Sequence, residues 1–506
     1  MMQLIITNAR ILADTASCDI QNGDIRCENG RIVEIGAGIA DALPADADTR
    51  VIDAAGQLAM PGLVNAHFHS TSAFMRGAVR SRPLEPYMLY EAPLDAFSHS
   101  PRLYYLRAML SAIDMLRQGV VALRDDVHFF GDPTLDNADA IFQAYRDSGL
   151  RASVAFGIPN VPEHTKIPYL TEFLTPGQLA AMQTERWPTQ AEIMGFYDEV
   201  FAKWHGQENG RLMAHTSCST PHRVDAETLV ALSDLAKRHD VSFDTHLLET
   251  KTQAVHEYRR NGSSLLRYLH DQGVLTSHLV AIHSIWLDND DLDLLAASGA
   301  VVAHNPVSNL KLGSGVMPMI DMSQRGISFA MGTDEAAVDE GNNLWVNAKL
   351  GMLLQNITRT DCADWLGPRT ILDAMTKGGA RAMRRDRAGT LEPGQDADII
   401  LLDMDRALHL PFNDVALHLA GAETGQSVTT TIVAGEVMME NGRLTRIDED
   451  AILAEIKDIW GRYSDLRDQA NADTADLVPA YTSAANKALE QHWGYSRHVT
   501  GKMGNN

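Results

Sequence analysis

The chain is poor in cysteine, in long apolar runs and in positive charge, and each shortage narrows what it can be. Cys18, Cys27, Cys218 and Cys362 are the 4 cysteines of 506 residues, and they form neither a CxxC pair nor a dense framework. That excludes a disulfide-stapled scaffold and fits a reducing compartment. No apolar stretch reaches the ~20 residues of a membrane span, and residues 1–6 lack the basic-then-apolar order of a leader. The expectation is a cytoplasmic protein with no membrane partner. The 43 basic residues are outnumbered by 66 acidic ones, leaving a formal net charge of -23. Phosphate backbones would be repelled, so nucleic acid is excluded as a partner and a neutral or cationic small molecule is favoured. Internal repeats and low-complexity tracts are also absent.

A hydrophobic fraction of 45% and a charged fraction of 22% describe an ordinary globular protein. The length exceeds one ordinary core, so one large and one small domain are expected. Both chain ends have β-texture. Leu4-Ile5-Ile6-Thr7-Asn8-Ala9-Arg10-Ile11-Leu12 reads as a strand, and residues 24–36 read as a hairpin turning on Asn29-Gly30. Residues 397–403 give another strand, and residues 429–442 contain a hairpin with a further Asn-Gly at 441–442. A single small β-sandwich built from residues 1–58 and 389–446 accounts for all of them. Between them, short β-branched runs alternate with longer helical patterns. The runs centre on residues 63–64, 120–123, 152–156, 212–214, 241–243, 279–282, 300–303 and 328–331. Eight β/α units over residues 59–388 predict a (β/α)8 TIM barrel. Residues 447–506 read as a helical tail with a mobile end at 501–506.

The polar residues fall at one end of these runs. Strand one runs into His67-Phe68-His69, strand five into His246 with Glu249 three residues on, strand six into His283, strand seven into His304 and strand eight into Asp334. Barrel active sites lie at the C-terminal strand ends. Alternate strand residues face the same way, so His67 and His69 can face one ion. Adding His246 and Asp334 gives three nitrogens and one oxygen, a set suited to one divalent metal, zinc first and iron or manganese as alternatives. Such a metal lowers the pKa of its water toward ~7. Singly, each residue has a plainer explanation: a surface HxH, a solvated His–Glu pair, a core histidine, an aspartate capping a helix. All of them at strand ends is what those explanations do not account for.

Pro61-Gly62-Leu63-Val64-Asn65-Ala66-His67-Phe68-His69-Ser70 resembles the opening motif of the amidohydrolase superfamily. The stretch from His304-Asn305-Pro306 to Gly315, and Met331-Gly332-Thr333-Asp334, resemble the branch holding adenosine-type and guanine deaminases and s-triazine hydrolases. Gly394-Gln395-Asp396-Ala397-Asp398-Ile399 looks like that family's return to the small β-domain. The resemblance implies one metal on His67, His69, His246 and Asp334, with Glu249 and His283 acting beside it. Two-metal relatives carry a carboxylated lysine on strand four, where Leu212-Met213-Ala214-His215-Thr216-Ser217-Cys218 has none. The implied reaction is hydrolytic deamination of an amino-substituted heterocycle. Asp334 takes a proton from the attacking water, and a protonated Glu249 donates to a ring nitrogen. Expulsion of chloride, thioether or alkylamine from an s-triazine, or opening of a cyclic amide, keeps the same machinery. A homodimer or higher homo-oligomer is the family-based expectation.

Three departures bear on the substrate. Adenosine-type relatives carry Trp and then Pro-x-Glu after strand one, where this chain has Tyr87 and Pro93-Leu94-Asp95. They carry His-Ser-Pro after strand four, where it has Ser219-Thr220-Pro221. Both changes weigh against a nucleoside. After Asp334 the chain reads Glu335-Ala336-Ala337. Glu335 is either a reader of substrate amino groups or, slightly favoured, an exposed acid at a helix start. Asp95, Ser219, His304, Asn309 and Glu335 are thus the candidate substrate or supporting groups.

Overall fold

The computed structural model of the protein describes residues 3–42, 49–91, 100–129 and 133–499. Asp95 lies outside the described residues, as does the expected mobile end at 501–506.

The barrel strands are Leu63–His69, Val120–His128, Arg151–Gly157, Leu212–Ala214 with Thr216–Ser217, Phe243–Leu247, Leu279–His283, Val301–His304, and Ser328–Met331 with Asp334–Glu335. All their pairings are parallel. Strands four and eight are each broken in two, and the breaks close the ring. Leu212–Ala214 pairs with strand three while Thr216–Ser217 pairs with strand five; Ser328–Met331 pairs with strand seven while Asp334–Glu335 pairs with strand one. Two five-stranded sheets thereby share their edges as one closed barrel, with no open edge left to pair.

Strand one shows why the pattern folds this way. Phe68 packs in the large core between strands and helices. Its neighbours His67 and His69 point to the opposite face, into the barrel. Strand two runs further than its apolar start suggests: residues 124–128 are charged or polar except for Val127, yet the strand continues to His128 and every residue in it is buried. Strand five begins at Phe243, slightly later than the apolar run implies.

Strands from both chain ends join into one nine-stranded sheet. Gln3–Leu12, Ile20–Glu28, Arg31–Gly36, Thr49–Asp53 and Leu58–Pro61 come from the front; Ile399–Leu402, Val428–Val433, Glu436–Glu440 and Arg443–Leu444 from the back. Where the sequence suggests a two-layer sandwich, the hydrogen bonding runs through all nine strands as one connected sheet. Its two faces serve two cores. Ile399 and Leu401 pack with Leu4, Ile6, Ile11 and Ile432, whereas Ile400 and Leu402 face the barrel. Asn29-Gly30 turns the first hairpin with φ of 49° and 80°. The second turns on Ala434-Gly435, and Asn441-Gly442 makes the next turn along. Consecutive positive φ values are what tight hairpins require.

The helical tail begins at Glu449, where the Asp448 side chain accepts from Ala451 N. Helices Glu449–Thr474 and Val478–Leu489 are followed by a segment that lies against the C-terminal face of the barrel. There Tyr495 Oη donates to Trp286 O at 2.9 Å, and Val316 N donates to Arg497 O at 2.8 Å. Among the described residues, no helix is long and apolar enough to cross a membrane.

Candidate metal centre and pocket

His67, His69, His246 and Asp334 each place one ligand atom within 4.8 Å of all the others, and all four residues are buried. His67 and His69 Nε2 lie 3.6 and 3.3 Å from Asp334 Oδ1, and His69 Nε2 lies 3.2 Å from His246 Nε2.

The outer nitrogens fix the inner ones. His69 Nδ1 donates to the Asp126 carbonyl, and His246 Nδ1 donates to the Ser219 carbonyl at 2.7 Å. A neutral imidazole that donates from Nδ1 carries its lone pair on Nε2. Two such lone pairs 3.2 Å apart repel unless a positive charge lies between them. Among the described residues, the fully buried His67 finds no hydrogen-bond partner for either ring nitrogen. The donor set therefore fits a divalent cation, and three nitrogens with one carboxylate oxygen suit zinc. The local electrostatics keep two of the three rings neutral and draw positive charge to the third. Burial pushes His67 down to about 4 and holds His246 well below its usual range. Burial opposes a proton on His69 too, but Asp334 outweighs it and raises His69 to about 10. Asp334 stays charged despite burial because the imidazoles hold its carboxyl well below the usual range.

Backbone geometry at the strand ends aims these groups. Ser219, Leu248, His283, Ser284 and Asp334, at the ends of strands four, five, six and eight, all have φ between 45° and 66°. Left-handed non-glycine residues carry strain, and they cluster at sites where tertiary contacts over-determine them. Gly332 admits strand eight to strand one: a Cβ there would sit 2.3 Å from Asn305 Oδ1 and 2.8 Å from His67 O. Thr333 N then donates to His67 O at 3.0 Å.

Glu249 and His283 stand beside the cluster. His283 Nε2 lies 3.6 Å from both Glu249 Oε2 and Asp334 Oδ2, while its Nδ1 bonds Asn309 Oδ1 at 2.9 Å. Ser308 Oγ donates to Asp334 Oδ2 at 2.6 Å. Burial, then the Asp334 charge, raise the Glu249 carboxyl well above its usual range. All of this opens into a pocket lined by His69, His246, Glu249, His283, Asp334 and Glu335.

The candidate substrate groups divide. Glu335 is 4% exposed, lines the pocket and accepts from Tyr87 Oη at 2.7 Å, so the reading of an exposed helix-start acid is corrected. Ser219 lines the pocket, and its carbonyl steers His246. Asn309 is placed to orient His283. His304 is fully buried and lies outside the pocket lining; an added Cβ at Gly351 would sit 3.4 Å from its ring. Arg124 is fully buried inside the barrel, bonded to Asp244.

Sequence reading missed Asp126 and His128, which close strand two. Asp126 fixes His69, and His128 forms a second buried group with His69 and Glu335. It also missed Glu85, Glu91 and Arg223. The available signal was position: Asp126 and His128 end a barrel strand, but their charge makes the segment read as loop.

A closed parallel barrel carrying three imidazoles, one aspartate and an adjoining buried glutamate at its C-terminal rim has the architecture of metal-dependent barrel hydrolases. The chain belongs to the amidohydrolase family, whose model matches residues 58–438. It is 31% identical over 455 residues to a 5-methylthioadenosine/S-adenosylhomocysteine deaminase of Nitratidesulfovibrio vulgaris, covering 89% of this chain and 94% of the relative. It is 30% identical over 459 residues to a 5'-deoxyadenosine deaminase of Methanosarcina mazei, covering 90% and 97%. In fold it is similar to an adenosine deaminase of Xanthomonas campestris with bound zinc, with a TM-score of 0.79, 23% identity and coverage of 93% and 99%. It is similarly close to a zinc-complexed atrazine chlorohydrolase of Arthrobacter aurescens, with a TM-score of 0.79, 21% identity and coverage of 92% and 100%.

Proposed function

We propose that the protein hydrolytically deaminates an amino-substituted nitrogen heterocycle, an aminopurine ahead of a pterin, pyrimidine or triazine, on one divalent metal, zinc by preference. The carrying observation is the buried Glu249, its carboxyl raised well above the usual range, beside a convergent His3Asp donor set. His67, His69, His246 and Asp334 hold the ion. When bound, the metal supplies a water acidified enough to attack at neutral pH.

The chain does the rest. Asp334 Oδ2, held by Ser308 and facing His283, accepts the proton as the attack proceeds. His283, fixed at Nδ1 by Asn309, orients the attacking oxygen from the other side. Glu249 donates its proton to the ring nitrogen next to the carbon under attack, so the ring absorbs the electron pair. A second proton delivered to the exocyclic amine lets ammonia leave. Enclosure in the pocket keeps Glu249 protonated until the ring nitrogen gains basicity. The relatives named for adenosine derivatives support an adenine-type ring. The departures at Tyr87 and at Ser219-Thr220-Pro221 point to different contacts around that ring.

The test is ammonia release by zinc-loaded protein from a panel of aminopurines, pterins, aminopyrimidines and aminotriazines. Ammonia from an aminopurine is expected. Turnover of a chlorotriazine to chloride without ammonia from any member would replace deamination by dehalogenation.

A further inference from the structure

Among the described residues lining the pocket, Arg223 is a cation that feels Glu91 and Glu163 through space but makes no close ion pair with either. Arg223 ends the short turn Pro221–Arg223 after strand four, is 9% exposed and lines the pocket. Its guanidinium reaches Ser219 Oγ at 3.4 Å and Met88 Sδ at 2.8 Å. Among the described residues no carboxylate lies within ion-pairing distance of it. The other basic residue of the lining, Lys166, is neutralised by Glu163 at 2.6 Å. A guanidinium has five N–H donors in a planar fork that matches a carboxylate. Burying a charge without a close partner is costly, and a bound anion would offset that cost.

Its place in the pocket limits what that ligand is. Arg223 touches the Ser219 hydroxyl, and the Ser219 carbonyl holds metal-site His246 at 2.7 Å. One residue therefore separates the guanidinium from the metal cluster. Position 219 is also where adenosine-type relatives carry the imidazole of His-Ser-Pro. The small serine leaves its flank to the Arg223 side chain. An anion gripped here sits on the heterocycle itself, not at the end of a long substituent.

We propose that Arg223 is a specificity-determining residue that selects heterocycles bearing a carboxylate, or a like planar anion, on the ring edge. This rests on the deaminase reading above for its chemistry but not for its binding. The tests are matched pairs differing only in charge: adenine-8-carboxylate against adenine-8-carboxamide, and pterin-6-carboxylate against pterin-6-carboxamide. Ammonia release and calorimetric binding are measured on zinc-loaded wild type, Arg223→Lys and Arg223→Met, with zinc content as the check on folding.

The expected result is a preference of at least about tenfold for the carboxylate on one scaffold, in kcat/KM or in Kd. It shrinks in Arg223→Lys, which keeps charge but loses the fork, and collapses in Arg223→Met. Equal use and binding of acid and amide by wild type overturns the proposal, as does a preference that survives Arg223→Met. If Arg223→Met fails to retain zinc, the wild-type ratio and the Lys variant decide alone. Carboxylate-selective binding without ammonia from either scaffold strikes the deaminase reading and leaves Arg223 standing. Ammonia release without selectivity does the reverse.

Discussion

Two buried polar clusters occupy the same barrel and behave differently. In the interior, Arg124 bonds Asp244, the Ser242 hydroxyl and the Ala382 carbonyl. His215 donates from Nε2 to Asp244 Oδ2 at 3.0 Å and meets Ser153 Oγ through Nδ1 at 3.0 Å. Apart from Arg124 Nε, this network closes on itself. At the rim, His67, His69, His246 and Asp334 are equally buried and use the same residue types. Yet the hydrogen bonds there run outward to carbonyls and leave lone pairs facing each other. Burial and charge do not separate a structural cluster from a functional one; the direction of the lone pairs does.

That contrast breaks first at the rim. His67→Ala or Asp334→Ala should abolish metal retention, read by elemental analysis. Turnover should drop by at least on the order of 10⁴-fold, because the attacking water returns from a pKa of about 7 toward 15.7. A variant that keeps both metal and turnover would place the water-activating centre elsewhere.

Glu249→Gln comes next, with kcat down by roughly 10²–10⁴-fold, the usual range for a lost general acid, and zinc content intact. The sign of the pH dependence follows from the direction of the shift. Burial and Asp334 raise the Glu249 carboxyl, and the working form is protonated, so kcat should fall as pH rises through that raised value. The limb should vanish in the Gln variant. Stability runs with the same sign. The unfolded chain releases this proton near 4.5, whereas the folded chain keeps it to higher pH. Stability contributed by the protonated form is thus present below 4.5 and lost as pH rises through the folded value. Stripped of metal at alkaline pH, Glu249→Gln should melt higher than wild type, showing the rim to be a place of stored cost.

In the interior the effect should be on stability. Arg124→Met leaves Asp244 buried beside a single histidine and should destabilise by about 3–5 kcal/mol, the range for breaking one partner of a buried pair. Arg124→Met with Asp244→Leu should recover part of it. Thermal melts at fixed zinc measure both. If the single variant melts like wild type but loses turnover, the two clusters are one functional unit and the contrast fails.

The rim was largely legible in sequence because its ligands follow apolar runs: His67 and His69 after Leu63-Val64, His246 after Phe243, His283 after residues 279–282 and Asp334 after residues 328–331. Hydrophobic periodicity finds such strands, and the barrel rule supplies their functional end. The interior network was not legible. Arg124 and Asp125 look like the end of strand two because Asp244 and Tyr145, which bond their side chains, come from elsewhere in the chain. Local composition cannot report a charge neutralised from far away. Glu335 was misjudged for the same reason, since Tyr87, which bonds it, comes from the loop after strand one. The small sheet was readable in its strands and turns but not in its connectivity, which depends on which face each alternate residue takes.

The smallest effect lies between the clusters, at Asn309. Its Oδ1 accepts from His283 Nδ1, so it touches neither metal ligand nor pocket and acts only by aiming His283. Without it, His283 keeps its place, because the left-handed backbone at 283–284 and the burial of the residue remain, but the ring gains rotational freedom and a choice of tautomer. Asn309→Ala should retain zinc fully and lower kcat by about tenfold, the lower end for partners that orient a site histidine, with KM little changed. Asn309→Asp should keep the acceptor and add charge, raising the pKa of His283 and moving the acidic limb of the kcat profile upward. A change in zinc content with either variant would extend the metal's ligand field to this asparagine and move the boundary between the two clusters.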